Sequence, residues 1–120
     1  MFTGRVWMDA LAVGPTEDHH VHVLKVRFSP GARTHWHSHP RGQILHIAGG
    51  VGRVQERDGG VEEIRAGDTV VTGAQAWHWH GAGPTTFMTN IAVQEADEHG
   101  RGAIWGEPVT DDEYGVQPTA

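Results

Sequence analysis

Turn chemistry recurs so often along this chain that it leaves no room for a long helix. Ser29-Pro30-Gly31, Ala48-Gly49-Gly50, Asp58-Gly59-Gly60, Ala66-Gly67-Asp68 and Gly81-Ala82-Gly83-Pro84 all carry residues that tight reversals select. Proline presets one dihedral and glycine tolerates the left-handed region that many turns need. What lies between is short. Residues 22–28 alternate cleanly, with Leu24, Val26 and Phe28 on one face and Lys25 and Arg27 on the other, which is the period of a half-buried strand. Strand-like runs follow at 43–48, 52–57, 61–65, 69–72, 76–80 and 86–94, and Asp58-Gly59-Gly60 between two of them reads as a hairpin. No segment sustains the 3.6-residue apolar period of a helix. Many short, evenly spaced strands predict an all-β sandwich or closed barrel. The length of 120 residues fits a single domain over 1–120, with a polar tail from about residue 108. Within that tail, residues 109–114 predict one helical turn capped by Thr110, and the last few residues are expected to fray.

Histidine is the residue this chain uses to excess. There are ten, and five of them stand in Thr34-His35-Trp36-His37-Ser38-His39-Pro40-Arg41-Gly42-Gln43 and Trp77-His78-Trp79-His80. Alternate side chains of a strand share a face, so His37 projects with His39, and His78 with His80. Imidazoles converging from two remote segments hold a transition metal and leave positions open for a substrate. A purely structural role suits the others better. His19, His20 and His99 lie in polar segments, His46 is out of phase with Gln43, and His22 shares the inward parity of Leu24 as a satisfied core residue. His35 has ligand parity but precedes the pair, and its reading is structural too.

Composition narrows the function classes. The chain has no cysteine, which removes disulfides, thiolate nucleophiles and Cys-based metal sites and suits a reducing compartment. A net charge of −6 opposes nucleic acid as a partner. No apolar run reaches the roughly 20 residues that cross a bilayer, and the first residues lack the pattern of a signal peptide. A cytoplasmic protein with no membrane partner and a small-molecule substrate is expected.

The spacing of the two clusters is specific. Gly31, His37, His39 and Gln43 followed by Gly49-Gly50, then Gly67-Asp68 followed by His78, resemble the paired signature of the cupin superfamily over about residues 31–82. That resemblance implies a jelly-roll barrel (a double-stranded β-helix) and, position by position, His37, His39, Gln43 and His78 as four metal ligands. The usual Glu is Gln43 here, the usual Pro and Gly of the second motif are Gly73 and Gln75, and the Asn that commonly follows is Ala82. Closer still, the stretch from Gly31 to Gln43, Val61-Glu62-Glu63-Ile64 with Gly67-Asp68, the run from His78 to Thr89, Ala92 with Gln94-Glu95, and the ending Val109-Thr110-Asp111 resemble bacterial manganese-dependent cupin hydroxynitrile lyases. The likeness covers nearly the whole chain. It implies a divalent ion, Mn2+ first with Fe2+, Zn2+ or Ni2+ as alternatives, and cleavage or formation of cyanohydrins such as mandelonitrile. Those enzymes carry a second histidine four residues before the Gln94 position. Here that position is Asn90, which removes one candidate base.

The residues themselves support Lewis-acid work. Three neutral imidazoles and an amide leave the charge of a divalent ion uncompensated, so a low-dielectric cavity around it favours an anion. Neutral ligation also favours Lewis-acid chemistry over oxygen redox. His80 has the parity of His78 and an ordinary pKa near about 6.5, which suits it to carry a proton. Gln94 and Asn90 share a strand face and are candidates to hydrogen-bond the substrate. Leu24, Val26 and Thr34 are expected to wall the pocket, and Trp77 and Trp79, on the opposite face, to sit at a subunit contact. Phe87, Ile91 and Val93 opposite Met88 and Ala92 give one strand two apolar faces, which predicts a homodimer or higher homo-oligomer. Two other functions stay open. One is a non-haem metal dioxygenase of the same superfamily, disfavoured by an amide in place of the carboxylate. The other is a barrel that binds a small ligand without turning it over.

Overall fold

Valine, isoleucine and threonine recur through the extended runs, and these branched side chains fit a pleated surface better than a helix. The computed structural model describes residues 1–13 and 18–119. Its strands are β1 (Phe2–Thr3), β2 (Val6–Ala12), β3 (Val21–Phe28), β4 (Arg33–Thr34), β5 (His37–Ser38), β6 (Gln43–Glu56), β7 (Glu62–Arg65), β8 (Thr69–Thr72), β9 (His78–Ala82), β10 (Met88–Glu95) and β11 (Ile104–Trp105). One short helix, α1 (Asp111–Tyr114), follows them. The strands form one hydrogen-bonded path, β1-β4-β9-β6-β10-β3-β2, with β5, β7, β8 and β11 attached at its sides. It curls over itself into the nearly closed jelly-roll barrel that the sequence implies. Among the described residues no helix is long and apolar enough to cross a membrane.

Strand β6 departs from expectation. The sequence reads as two strands broken at Ala48-Gly49-Gly50, whereas the chain runs on through both glycines for 14 residues. Its first half pairs with β10 and β8, and its second half with β7 and β9. The strand therefore passes from one layer of the barrel to the other, and the glycines serve the bend. Gly50 has φ +78, and a Cβ there would overlap the carbonyl oxygen of Phe87. The register of β10 slips by one residue at Thr89/Asn90, beside the same bend. Strand β2 was not evident from sequence at all. Its Ala and Leu are helix formers, and its extended form comes from pairing with β3, Val6 opposite Phe28 through Ala10 opposite Leu24.

Inward residues of both layers, among them Val26, Phe28, Leu45, Ile47, Val54 and Met88, make the main core. A second core lies outside the β9 layer, and it overturns an expectation. Trp79 is not at a subunit contact. It is fully buried against Trp36, Val61, Val109 and Tyr114 of its own chain, with its ring 5.7 Å from that of Tyr114. The segment expected as a polar tail is thus a packed lid on this side. Thr110 caps α1 in a reciprocal capping box with Glu113, the device that satisfies two orphan N–H groups at once. Arg33 donates to the Val109 carbonyl and to Asp111, both at 2.8 Å, and Arg53 donates to the Tyr114 carbonyl at 2.8 Å. The Tyr114 hydroxyl donates to the Ala82 carbonyl at 2.6 Å. The expected fraying does not reach Thr119, whose N–H donates to the Val61 carbonyl at 3.0 Å.

Gly50→Ala combines a positive φ with a steric overlap, whereas Gly67→Ala has φ +96 and nothing within 4 Å of the new methyl. Gly67→Ala is expected to cost about 1–2 kcal/mol and Gly50→Ala roughly 3 kcal/mol or more. Thermal unfolding followed by circular dichroism should separate the two by several degrees, and equal losses would refute the role given to the bend.

Candidate metal centre

Pairing of β5 with β9 sets His37 directly opposite His78, and their ring centroids lie 4.4 Å apart. His39, just past β5, packs 4.9 Å from His37 and 5.2 Å from His78. His80, two residues along β9 and so on the same face, lies 5.5 Å from His37 and 5.6 Å from His78. Gln43 opens β6 and stands opposite Gln94 of β10. Asn90, further along β10, has its side-chain Nδ2 3.4 Å from His80 Nδ1. All seven residues singled out from the sequence are buried and gather at one end of the barrel.

Their hydrogen bonds decide which atoms remain free. A carbonyl only accepts, so His37 Nδ1 carries the proton it donates to the His35 carbonyl at 2.8 Å, and His39 Nδ1 the one it donates to Gly102 at 2.8 Å. Each ring is thereby oriented with a lone pair on Nε2. His78 Nδ1 lies 3.4 Å from the Thr72 hydroxyl. Gln43 donates through Nε2 to Gln94 Oε1 at 3.1 Å, leaving its own Oε1 unengaged. As a result His39 Nε2, His78 Nε2 and Gln43 Oε1 are all buried without a hydrogen-bond partner. Stranding buried polar atoms is costly, about 1–3 kcal/mol each, and three such acceptors at one end of a barrel fit the donor set of a cation. By distance alone the tightest group is His37, His78 and His80, whose ligand atoms all lie within 4.8 Å of one another. That grouping omits His39 and Gln43. The unpartnered atoms favour them over His80, whose ring already faces Asn90.

Electrostatics keep the rings in the form a metal needs. Burial, reinforced by the charge of neighbouring His39 and His35, pulls His37 down to about 3 despite its bond to the His35 carbonyl. Burial with His37 and His39 nearby pulls His78 to about 2. His39 is lowered by burial, and His80 is well below its usual value through burial and its three histidine neighbours. All four are neutral at neutral pH.

His37, His39, Gln43, His80 and Gln94 line a cavity of about 50 Å³, enough for an ion with one or two small ligands. Leu24, Val26 and Thr34 wall it as expected, and Thr34 also accepts the His80 N–H at 3.2 Å. Sequence reasoning missed the rest of the rim. Phe2, Met8, Ala103 and Trp105 line it too, and Trp105 stacks on His37 at 4.6 Å. Gly102 acts only through its carbonyl, which no side-chain pattern announces. His22, expected to be satisfied, keeps a buried Nε2 with no partner.

The family model described as a cupin domain matches residues 24–89, more than half of the chain. The chain belongs to the cupin family. It is similar to a protein of Granulicella tundricola named (R)-mandelonitrile lyase, at 47% identity over 94% of this chain and 85% of the relative. Among solved structures it resembles a cupin-like protein of Thermotoga maritima, with TM-score 0.87 and 41% identity over 94% of this chain and 84% of that one. The DMSP lyase DddQ of Ruegeria pomeroyi shares the fold, with TM-score 0.72 and 15% identity over 89% of this chain and 54% of that one.

This cupin should be acid-labile in a defined window. Because folding depresses the histidine pKa values from 6.5, the unfolded chain takes up protons first as pH falls. Stability that is whole above about pH 6.5 is lost progressively toward pH 3, by at most about 1.4 kcal/mol per pH unit for each ring. The urea midpoint of metal-free protein should drop between pH 7 and pH 4, and His78→Gln should flatten that slope. Identical slopes in parent and variant would contradict the buried neutral ring.

Proposed function

We propose that this cupin is a divalent-metal-dependent lyase that cleaves and forms cyanohydrins, acting on a small hydroxynitrile in the cytoplasm. The observation that carries the reading is the set of neutral, buried, unpartnered acceptors at the cavity. The 47% identity to a protein named (R)-mandelonitrile lyase supports cyanohydrin chemistry as the reaction class.

His37, His39, Gln43 and His78 would hold the ion. Mn2+ follows from the resemblance, and Fe2+, Zn2+ or Ni2+ suit the same imidazole-rich set. When bound, the ion supplies a positive charge that no ligand carboxylate cancels, and so favours an anionic oxygen or cyanide in the cavity. Gln94 already accepts from Gln43 through Oε1, which leaves its amide N–H groups to donate to the substrate oxygen. His80 is neutral and lines the cavity. Its ring nitrogen remote from Asn90 takes the hydroxyl proton as the bond to the nitrile carbon breaks. The electron pair of that bond leaves with cyanide, and the proton returns to it, giving aldehyde and hydrogen cyanide. Asn90 is fully buried beside His80 with an unpartnered Oδ1. Turned over, its amide accepts the His80 Nδ1–H and so supports the tautomer that acts as base. A phenyl-bearing substrate needs more room than a cavity of about 50 Å³ offers, so lining side chains such as the exposed Met8 and Trp105 would have to shift to admit it.

Protein loaded with Mn2+ and mixed with mandelonitrile at mildly acidic pH should release benzaldehyde above background. His80→Ala should lower turnover by about 10²–10⁴-fold while metal content stays unchanged. No release with Mn2+, Fe2+, Zn2+ or Ni2+ would remove the lyase reading, and full activity in His80→Ala would remove the proton-carrying role.

A further inference from the structure

We infer that residues 102–105 form a strap that opens to pass a divalent cation into and out of the histidine cavity, and that its closing sets the aim of His39. The inference rests on His39 as a ligand candidate and not on the lyase reading. His39 Nε2 and His78 Nε2 are buried from solvent, so a cation carrying its hydration waters reaches them only after part of the wall moves. Ala103 and Trp105 close one side of that wall. Leu24, Val26, Ala92 and Gln94 line the cavity from β3 and β10, each of which is paired along both sides. By contrast β11 pairs only with β5, and only through Ile104 and Trp105. β1 is as short, yet it leads straight into β2. The strap is the loosest part of the enclosure.

Its two ends are firm. Before it, the buried Asp97 carboxylate accepts the His99 and Arg101 backbone N–H groups at 2.9 Å and the Arg101 Nε–H at 3.2 Å. After it, Gly106 donates to the Trp36 carbonyl at 2.7 Å, and Trp36 donates to the Glu107 carbonyl at 2.9 Å. Gly106 has no clearance, since a Cβ there would stand 2.8 Å from the Trp77 ring. Arg57 locks this end from outside, pairing with Glu107 and lying over the rings of Trp36 and Trp77. Between the anchors the four residues are half-buried or exposed. Gly102, with no Cβ, supplies the backbone freedom that a hinge uses.

What holds the middle is the segment that carries the ligand candidates. Ile104 stands opposite Ser38 and Trp105 opposite His37. The Trp105 indole stacks on His37 at 4.6 Å, and the Gly102 carbonyl accepts from His39 Nδ1 at 2.8 Å. Lifting the strap takes away the acceptor that fixes this tautomer, and the His39 ring loses its orientation. The converse holds by linkage: a cation gripping His39 Nε2 keeps the ring where Nδ1–H meets Gly102, and so favours the closed strap by the same factor. A second histidine opposes closure. His22 lies beneath Gly102, with Nδ1 3.6 Å from where a Cβ would stand, and its Nε2 is buried without a partner. Stranding that atom is a cost that opening to water relieves. The cation and His22 therefore bias the strap in opposite directions.

Hydrogen exchange read by mass spectrometry tests the coupling on the full chain. Without metal, the amides of residues 103–105 should exchange roughly tenfold faster than those of β9, and one equivalent of bound Zn2+ should slow them by about tenfold. Zn2+ bound in equilibrium dialysis with no such slowing would overturn the inference while sparing the metal centre. A chain that binds no Zn2+ would remove both. The double variant Ser38→Cys/Ile104→Cys tests the passage. The two positions are Cα partners, a spacing in antiparallel strands that a disulfide spans, and the chain has no other cysteine. Oxidised, this variant should release Zn2+ to a chelator about tenfold more slowly than after reduction by a phosphine. Equal release from the two forms would overturn the strap as the way in and out.

Discussion

The bend in β6 is the constraint on which the remaining geometry rests. One strand supplies hydrogen bonds to both layers, so their separation and relative angle are set inside a single run of backbone. Its start places Gln43 beside Gln94, and its far half pairs with β9, from Gly52 opposite Ala82 to Glu56 opposite His78. The two histidine clusters, remote in sequence, are brought together by the pairing of β5 with β9, which itself pairs with β6. Gly50 is the residue that permits this, because the bend needs a positive φ and a bare Cα against the Phe87 carbonyl.

What gathers there is chemically lopsided. The site contains acceptors and no carboxylate, and each ligand candidate has its other polar atom occupied by a carbonyl, a hydroxyl or an amide. Such outer contacts orient rings before any ion arrives. Burial then keeps the imidazoles uncharged, which is a cost in the acid range and a requirement for ligation. A fold built for hydrophobic packing alone would not strand three buried acceptors at one end of its barrel.

Side-chain parity was the part of this architecture most legible in the sequence. Alternation along residues 22–28 and the His-x-His spacing both survive folding, since a strand's period of two is local and tertiary context rarely alters it. Thr110 was likewise readable as a helix cap. The failures share a cause. Gly49-Gly50 looks the same locally whether it turns the chain or bends a continuing strand, and only β10 settles which. The strand character of residues 6–12 comes from β3, against the preference of its own Ala and Leu. Trp79 was placed on the correct face, but its cover comes from Tyr114, more than thirty positions away. Gly102 contributes a carbonyl and Trp105 a stacking surface, and neither leaves a trace in a pattern of ligand types.

The position of those last two residues has a temporal consequence. Every metal-ligand candidate lies before Gly83, yet the carbonyl that orients His39 and the indole that braces His37 come from residues 102 and 105. Synthesis proceeds from the amino end, so the ligand candidates leave the ribosome well before the groups that aim them. Assembly of the candidate centre is therefore among the final events in the making of this protein, and a nascent chain halted short of Gly102 holds every ligand candidate and lacks the parts that point them.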